Sequence, residues 1–334
     1  MSRPLAPLVK SIHHIHHGRE SKLLSFSRNH KPMVTIDSGE EVSFDNTHAG
    51  FNKITQSTTD VEVQTMGLKS LGDLESCTGP IYIDGPVYVR GAEPGDTLKV
   101  EILELQTGSW GWTAVFPGLG LLKDDIPGPH IKTFELGTDH AVFKQGVHIP
   151  CQPFYGTMGV APGDDTDLHP LFPVNAIGGN FDCRYIGQGA VMYLPINTPG
   201  ALFSVGDAHY SQGDGEITGT ALETTMRSRI RLTVIKGKIP LKSPHYETNP
   251  DRVKEMHSVG GKGEHGVLAT APTRESAIQE AVRGVLDWLV SEKDLTRVEA
   301  YMLFSIAGNL KMMHDLGLEL FTVSASIPQG LFVT

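Results

Sequence analysis

This sequence predicts a mainly β chain with two helices near its C-terminus, on three observations. Short apolar segments alternate with polar residues along most of the length. Gly (37) and Pro (21) are abundant among 334 residues without a collagen-like period, which favours many turns and so many strands. Helical periodicity begins only after residue 272.

Taken in order, SIHHIHHG (11–18) places His14 and His16 on one side of an extended segment and His13 and His17 on the other. It reads either as a partly exposed polar strand or as a source of one imidazole for a site elsewhere. MVTIDSGEEVSFDNT (33–47) alternates on both sides of Asp37-Ser38-Gly39, the pattern of a β-hairpin. IYIDGPVYV and EPGDTLKVEILEL, within 79–105, predict two further strands, with Leu98, Val100 and Ile102 on one face. SWGWTAVFPGLGLLKDDIPGP (109–129) is apolar, aromatic and broken by Gly and Pro, suiting a pocket wall or lid or a core-covering loop. His140 to Ile149 predicts a hairpin turning at Lys144-Gln145-Gly146, and APGDDTDLHP (161–170) a loop with solvated acids.

After Glu216 a long strand should place Met226, Ser228, Ile230, Leu232 and Val234 inward and Arg227, Arg229 and Arg231 on a solvated face. Residues 243–267 read as a polar loop. Thr273 then caps a helix whose apolar stripe includes Ala277, Ala281, Val285 and Leu289. Thr296 and Glu299 form a capping-box pattern before AYMLFSIAGNLKMM, which reads as a buried second helix. LFTVSASIP should be a strand returning to the sheet. The division expected is a β-rich region over 1–240 and an α+β portion over 241–334.

Composition bounds the function. A net charge of −10 with no block of Lys or Arg argues against nucleic acid as partner. Cys77, Cys151 and Cys183 are odd in number and far apart, which suits a reducing compartment. The N-terminus lacks an apolar signal core and no run approaches the ~20 residues that span a bilayer. The expectation is a cytoplasmic protein with no membrane partner.

The chemistry concentrates between Ile177 and Glu223, where Asp182, Asp207, His209, Asp214 and Glu216 stand at or near the ends of apolar segments among many glycines. Asp207 and His209 are two apart, as are Asp214 and Glu216, so on extended strands each pair faces one way. A hairpin would bring the four to one face, with Asp182 joining from the preceding loop. Such a set suits a divalent metal. GDGE taken alone suits an Asx-stabilised turn with its acids in solvent better than a metal site, and it is the combination with Asp182 and His209 that brings the metal reading level. Cys183 beside Asp182 reads as a nucleophile or as a small core residue.

GGNFD (178–182), YLPINTPGALFSVGDAHYSQGDGEITGTALET (193–224), GPIYIDGPVYVRGAEPGDTLKVEILEL (79–105), WGWTAVFPGLGLL (110–122) and YMLFSIAGNLKM (301–312) together resemble the acetamidase/formamidase family. The likeness runs from about residue 11 to the end. It implies a mainly β, β-sandwich-like fold with a smaller C-terminal α+β portion, and a homo-oligomer that hydrolyses small linear amides with a divalent metal. Carried over, the family's GGN-x-D acid falls on Asp182, its GD-x-H pair on Asp207 and His209, and its GDGE pair on Asp214 and Glu216. The expected metal ligands are Asp182, His209, Asp214 and Glu216, with Zn²⁺ favoured over Ca²⁺. Glu216 and Asp207 are the expected catalytic carboxylates, and Asn180, Trp112 and His48 the expected substrate contacts. Three departures from the family's usual forms stand in SFSRNHKP, where Ser27, Arg28, Asn29 and His30 replace an acid common in relatives, at Asn309, and in DNTHAGFNKI. The competing readings are a non-catalytic Ca²⁺-binding sandwich and a hydrolase of another C–N bond, such as a cyclic amide.

Overall fold

The computed structural model describes residues 13–18, 20–47, 54–64, 81–120, 128–145, 147–172, 174–216, 218–237, 241–251, 263–297, 300, 304, 308–315 and 320–332. Its elements in the first half are β1 (His13–Ile15), β2 (Lys22–Leu23), β3 (Val34–Ile36), β4 (Glu41–Asn46), the one-turn helix α1 (Asp60–Val63), β5 (Ile83–Val89), β6 (Thr97–Val115), β7 (His130–Glu135), β8 (His140–Lys144) and β9 (Val147–Pro150). The second half adds β10 (Phe154–Gly159), β11 (Gly178–Asn180), β12 (Val191–Pro195), β13 (Phe203–Ser211), β14 (Leu222–Ile235), β15 (His245–Glu247), β16 (Glu264–Ala271), α2 (Arg274–Lys293), β17 (Asn309–Asp315) and β18 (Phe321–Pro328). The fold is mainly β and sandwich-like, with the long helix near the C-terminus.

One hydrogen-bonded network runs β11-β10-β13-β14-β6-β12-β15-β16-β18-β17. It branches because its long strands change partners along their length. β6 pairs with β14, β12 and β7; β13 takes β5, which carries β2 and β3; β14 takes β4, which carries β1. The inward faces close on a common core that includes Phe44, Val87, Leu98, Val100, Leu194, Phe203 and Ile230. Leu98, Val100 and Ile102 are buried together as their alternation requires, and so are Met226, Ser228, Ile230 and Leu232. On the outer face Arg229 and Arg231 pair with Glu41, and Arg227 with Asp45.

Several local expectations change. Val34–Ile36 and Glu41–Asn46 are both strands, but they do not form a hairpin: β3 runs parallel to β5, while β4 lies between β1 and β14. The Asp37-Ser38-Gly39 turn bends the chain without pairing its flanks. SWGWTAV is the end of β6, paired with β7, so that stretch is sheet and not loop. The polar segment after residue 243 contains β15 and the start of β16. At the C-terminus Asn309–Asp315 is a strand where a helix was expected to continue through Met313; residues 301–303 and 305–307 of that expected helix lie outside the described residues.

The long helix matches its prediction. The Thr273 hydroxyl accepts a hydrogen bond from the Ser276 N–H. Ala277, Ala281, Val285 and Leu289 pack on Val267, Ala269, Val323 and Ala325 of β16 and β18. Gly284 permits the close approach, since a Cβ there would lie 2.6 Å from Val267. Among the described residues no helix is long and apolar enough to cross a membrane.

His245 and His265 meet under this helix, Nδ1 to Nε2 at 3.2 Å, and the His265 ring stacks on Trp288 with centroids 3.8 Å apart. Burial holds His245 down to about 4, and burial together with the neighbouring His245 holds His265 well below the usual imidazole range. Both therefore stay neutral in the folded chain, whereas unfolded imidazoles take a proton near pH ~6.5. Their contribution is complete above that pH and is lost as the pH falls towards 4. Between pH 7 and 5, urea denaturation should show wild type losing about 2 kcal/mol more than His245→Asn. An identical pH dependence in the two proteins would remove this pair as an acid-sensitive point.

Candidate active site

β13 is buried along all nine of its residues because it is flanked by β10, β14 and β5. Two of those positions can carry charge near neutral pH, Asp207 and His209. Register sets what they meet. His209 lies opposite Phe154 of β10 and Glu223 of β14, and Glu223 lies opposite Trp112 of β6, so four side chains form a row across the sheet. Tyr155 and Thr157 pair with Ala208 and Gly206, which leaves Gly156 facing Asp207. A Cβ at Gly156 would lie 2.4 Å from Asp182 Oδ1, 2.4 Å from Asp207 Oδ2 and 2.9 Å from His209 Cε1. The missing side chain is therefore a small space bounded by two carboxylate oxygens and an imidazole edge.

Asp182 reaches this space from the turn after β11. Asn180 Nδ2 donates to its Oδ2 at 2.6 Å, and His314 Nδ1 lies 3.2 Å from the same oxygen. The Thr157 hydroxyl in turn donates to Asn180 Oδ1, across the β10–β11 register. One Asp182 oxygen is thus held from two sides and the other, Oδ1, is buried with no hydrogen-bond partner. Gln212 Nε2 donates to the Asp182 carbonyl at 3.0 Å.

Glu216 arrives on a loop clamped to β17. The Gly215 N–H donates to the Met313 carbonyl at 3.3 Å, and the Asp315 N–H to the Gly215 carbonyl at 3.2 Å. The same clamp brings His314 to the cluster. Asp182, Asp207 and Glu216 all have left-handed backbones, with φ of 50°, 57° and 43°. Each such non-glycine residue costs about 1–3 kcal/mol, and strain of this kind collects at functional sites.

Four carboxylates, Asp182, Asp207, Glu216 and Glu223, together with His209 and His314, are each 8% exposed or less. His209 Nε2 stands 3.4 Å from both Asp207 and Glu223, facing both without hydrogen-bond geometry. Burial pushes the Asp207 carboxyl up to about 7 against the pull of His209. Burial and the charge of Asp182 push Glu216 well above the usual carboxylate range. For His209, burial works against the charged form, but Glu223 and Asp207 outweigh it and hold the ring well above the usual imidazole value.

The structure thus gathers Asp182, Asp207, His209 and Glu216 of the expected site residues. Asp214 stands apart: it is exposed and accepts the Tyr185 hydroxyl at 2.6 Å, because residues after Gln212 form a turn and not the strand that would alternate Asp214 with Glu216. Asn180 is close, bound to Asp182. Trp112 lies in the same cross-sheet row, with its ring packed in a cluster with Ile54 and Ala114 and edge-on to Phe116. His48 and Asn52 lie outside the described residues. Cys183 is a buried core residue whose thiol burial pushes up to about 12, which keeps it protonated. His13, His14, His16 and His17 pair with Glu40, Asp45 and Asp84 instead of reaching this cluster.

Two members, Glu223 and His314, carried no motif. An acid inside the apolar run ALETTM is a weak sign of burial. His314 comes from a strand more than a hundred residues away and had none.

The donor set fits a divalent cation. Nitrogen and oxygen atoms of Asp182, His209 and Glu216 lie within 4.8 Å of one another, as do those of Asp207, His209 and Glu223. Asp182 Oδ1, Glu223 Oε2 and both His209 nitrogens are buried without hydrogen bonds. Buried anionic oxygens in excess of their partners are costly unless a cation joins them.

The sequence profile of the acetamidase/formamidase family matches residues 16–168 and 171–333. The formamidase of Methylophilus methylotrophus is 28% identical over 230 residues, 51% of this chain and 56% of that one, so the chain spans little more than half the length of that relative. Two solved structures match nearly throughout. A predicted acetamidase/formamidase from the thermophile Thermoanaerobacter tengcongensis has a TM-score of 0.81 at 26% identity, covering 96% of each chain. The acetamidase of Bacillus halodurans has a TM-score of 0.80 at 28% identity, covering 94% of this chain and 96% of that one. By its profile match across both halves and its shared fold, the chain belongs to the acetamidase/formamidase family.

Proposed function

We propose that the chain hydrolyses small linear amides to a carboxylate and ammonia at the cluster around His209. The observation that carries this reading is the convergence of four buried carboxylates on one buried imidazole, with oxygens left unpartnered beside Gly156. Asp182, His209 and Glu216 would hold a divalent ion, Zn²⁺ in preference to Ca²⁺, because a histidine in the donor set suits Zn²⁺ and Ca²⁺ takes oxygen ligands. Bound there, the ion would supply Lewis acidity and lower the pKa of a water towards ~7.

The remaining steps belong to the chain's own groups. Asp207 Oδ2 borders the Gly156 space opposite Asp182 Oδ1, the position from which a carboxylate takes a proton from a water attacking the amide carbonyl and passes it to the leaving nitrogen. Glu223 flanks His209 on the other side, so that two carboxylates face Nε2 at 3.4 Å and favour positive charge on the ring, and the second ring nitrogen is left for the ion. Asn180 positions Asp182. Gln212 Oε1, buried and without a hydrogen-bond partner, is an acceptor for the substrate –NH₂ group, and Trp112 walls the row on its apolar side.

The same reading takes the protein to be a cytoplasmic homo-oligomer. Val142 and Phe143, 52% and 40% exposed on the β8–β9 hairpin, offer an apolar contact to a second copy. Ammonia release from formamide, acetamide and longer amides tests the activity. Release is expected to stop on chelation and return with Zn²⁺. Release unaffected by chelator, or none from any amide, would overturn the reading.

A further inference from the structure

A second group of metal-competent side chains lies on the opposite, outer face of the sheet. β1 runs parallel to β4 with His13 opposite Val42, His14 opposite Ser43 and Ile15 opposite Phe44. Ile15, Val42 and Phe44 are buried, at 2%, 0% and 0% exposure, so the register is fixed by the core. One-residue alternation then turns His14 and His16 outward, beside Asp45. His14 Nε2 and His16 Nδ1 both point at a single oxygen, Asp45 Oδ2, at 3.0 and 2.9 Å. The two rings stack with centroids 3.9 Å apart. The other oxygen, Oδ1, is held by Arg227 Nε at 3.1 Å, which orients the carboxylate and leaves Oδ2 to the histidines.

We infer that His14, His16 and Asp45 form a separate binding site for a divalent transition ion of the Zn²⁺ class, clasping the first strand to β4. Two imidazoles two residues apart, His14 in β1 and His16 just past its end, plus one carboxylate supply three donors, the number at which Zn²⁺ keeps further positions for water. The three donor atoms lie within 4.8 Å of one another. An open recess of about 380 Å³ borders His14 and His16, and the His16 side chain is exposed to solvent, so an ion can approach the two imidazoles. The imidazoles select against Ca²⁺ and Mg²⁺, which take oxygen ligands. The site is remote in chemistry from the amide reaction: the ion closes a three-residue edge strand onto its neighbour.

The test titrates the full chain, stripped with chelator, with Zn²⁺ alone by equilibrium dialysis. Wild type should bind one more ion per chain than His16→Ala, whose replaced side chain is 77% exposed and leaves ammonia release unchanged. Wild type, and not His16→Ala, should also gain protection from backbone hydrogen exchange at residues 13–17 when Zn²⁺ is added. Ca²⁺ should do neither. Failure of the amidase reading would lower both totals equally and leave the difference standing. Equal stoichiometry in the two proteins, or equal exchange with and without Zn²⁺, overturns the site.

Discussion

Asp207→Asn is expected to lower amide turnover by about two to four decades, the scale of a lost general acid–base group, while the protein folds and keeps its ion. The substitution changes charge and almost nothing else. Asn is among the few residues that tolerate the left-handed backbone found at this position, φ 57°. It also removes one of four buried carboxylates, so repulsion in the ion-free protein falls and its thermal midpoint should hold or rise. Steady-state ammonia release, thermal denaturation with chelator and metal content read the three parts separately. Turnover near wild type would take Asp207 out of the proton transfer and pass that role to Glu216 or Glu223.

Gly156→Ala should be nearly as damaging although it removes no functional group. The added methyl would stand 2.4 Å from two carboxylate oxygens and 2.9 Å from the His209 ring, too close for any of them to stay. It fills the space in which the proposed reaction would bring ion, water and amide together. Displacement of reacting groups by about an ångström can cost around a hundredfold in rate, and a loss of that order or greater is expected, together with weaker metal retention. Gly213→Ala is the control, since a Cβ there meets nothing within 4 Å, and it should keep full activity. If both alanine variants turn over normally, the cavity beside Gly156 is not where the reaction happens.

The strands and the long helix were legible because alternation and stripe are written in neighbouring residues. Leu98, Val100 and Ile102 announce their own face, and Thr273 its helix. Pairing was less legible. Asp37-Ser38-Gly39 marks a bend, but only the competition among distant apolar faces assigns β3 to β5 and β4 to β14. In the site, Asp182, Asp207, His209 and Glu216 stood out as charges among glycines at the ends of apolar segments. Glu223 did not, for a specific reason. It shares odd numbering with Arg227 and Arg229 and so reads as outward, but the register shifts between Thr224 and Met226, and that irregularity turns it to the inner face. Asp214 departs in the opposite sense, since the chain is turning there and strand alternation does not hold. His314 depends on the Gly215–His314 bridge, a contact between segments far apart in the chain.

Metal analysis of two purified proteins tests the central claim most directly. Both carry His14→Ala and His16→Ala, so that among the described residues the buried cluster is the metal-competent group left intact, and one also carries Asp182→Asn. The cluster predicts a stoichiometric transition ion in the first and its loss in the second. A first protein without metal, or equal metal in both, would contradict the assignment of Asp182, His209 and Glu216 to a cation.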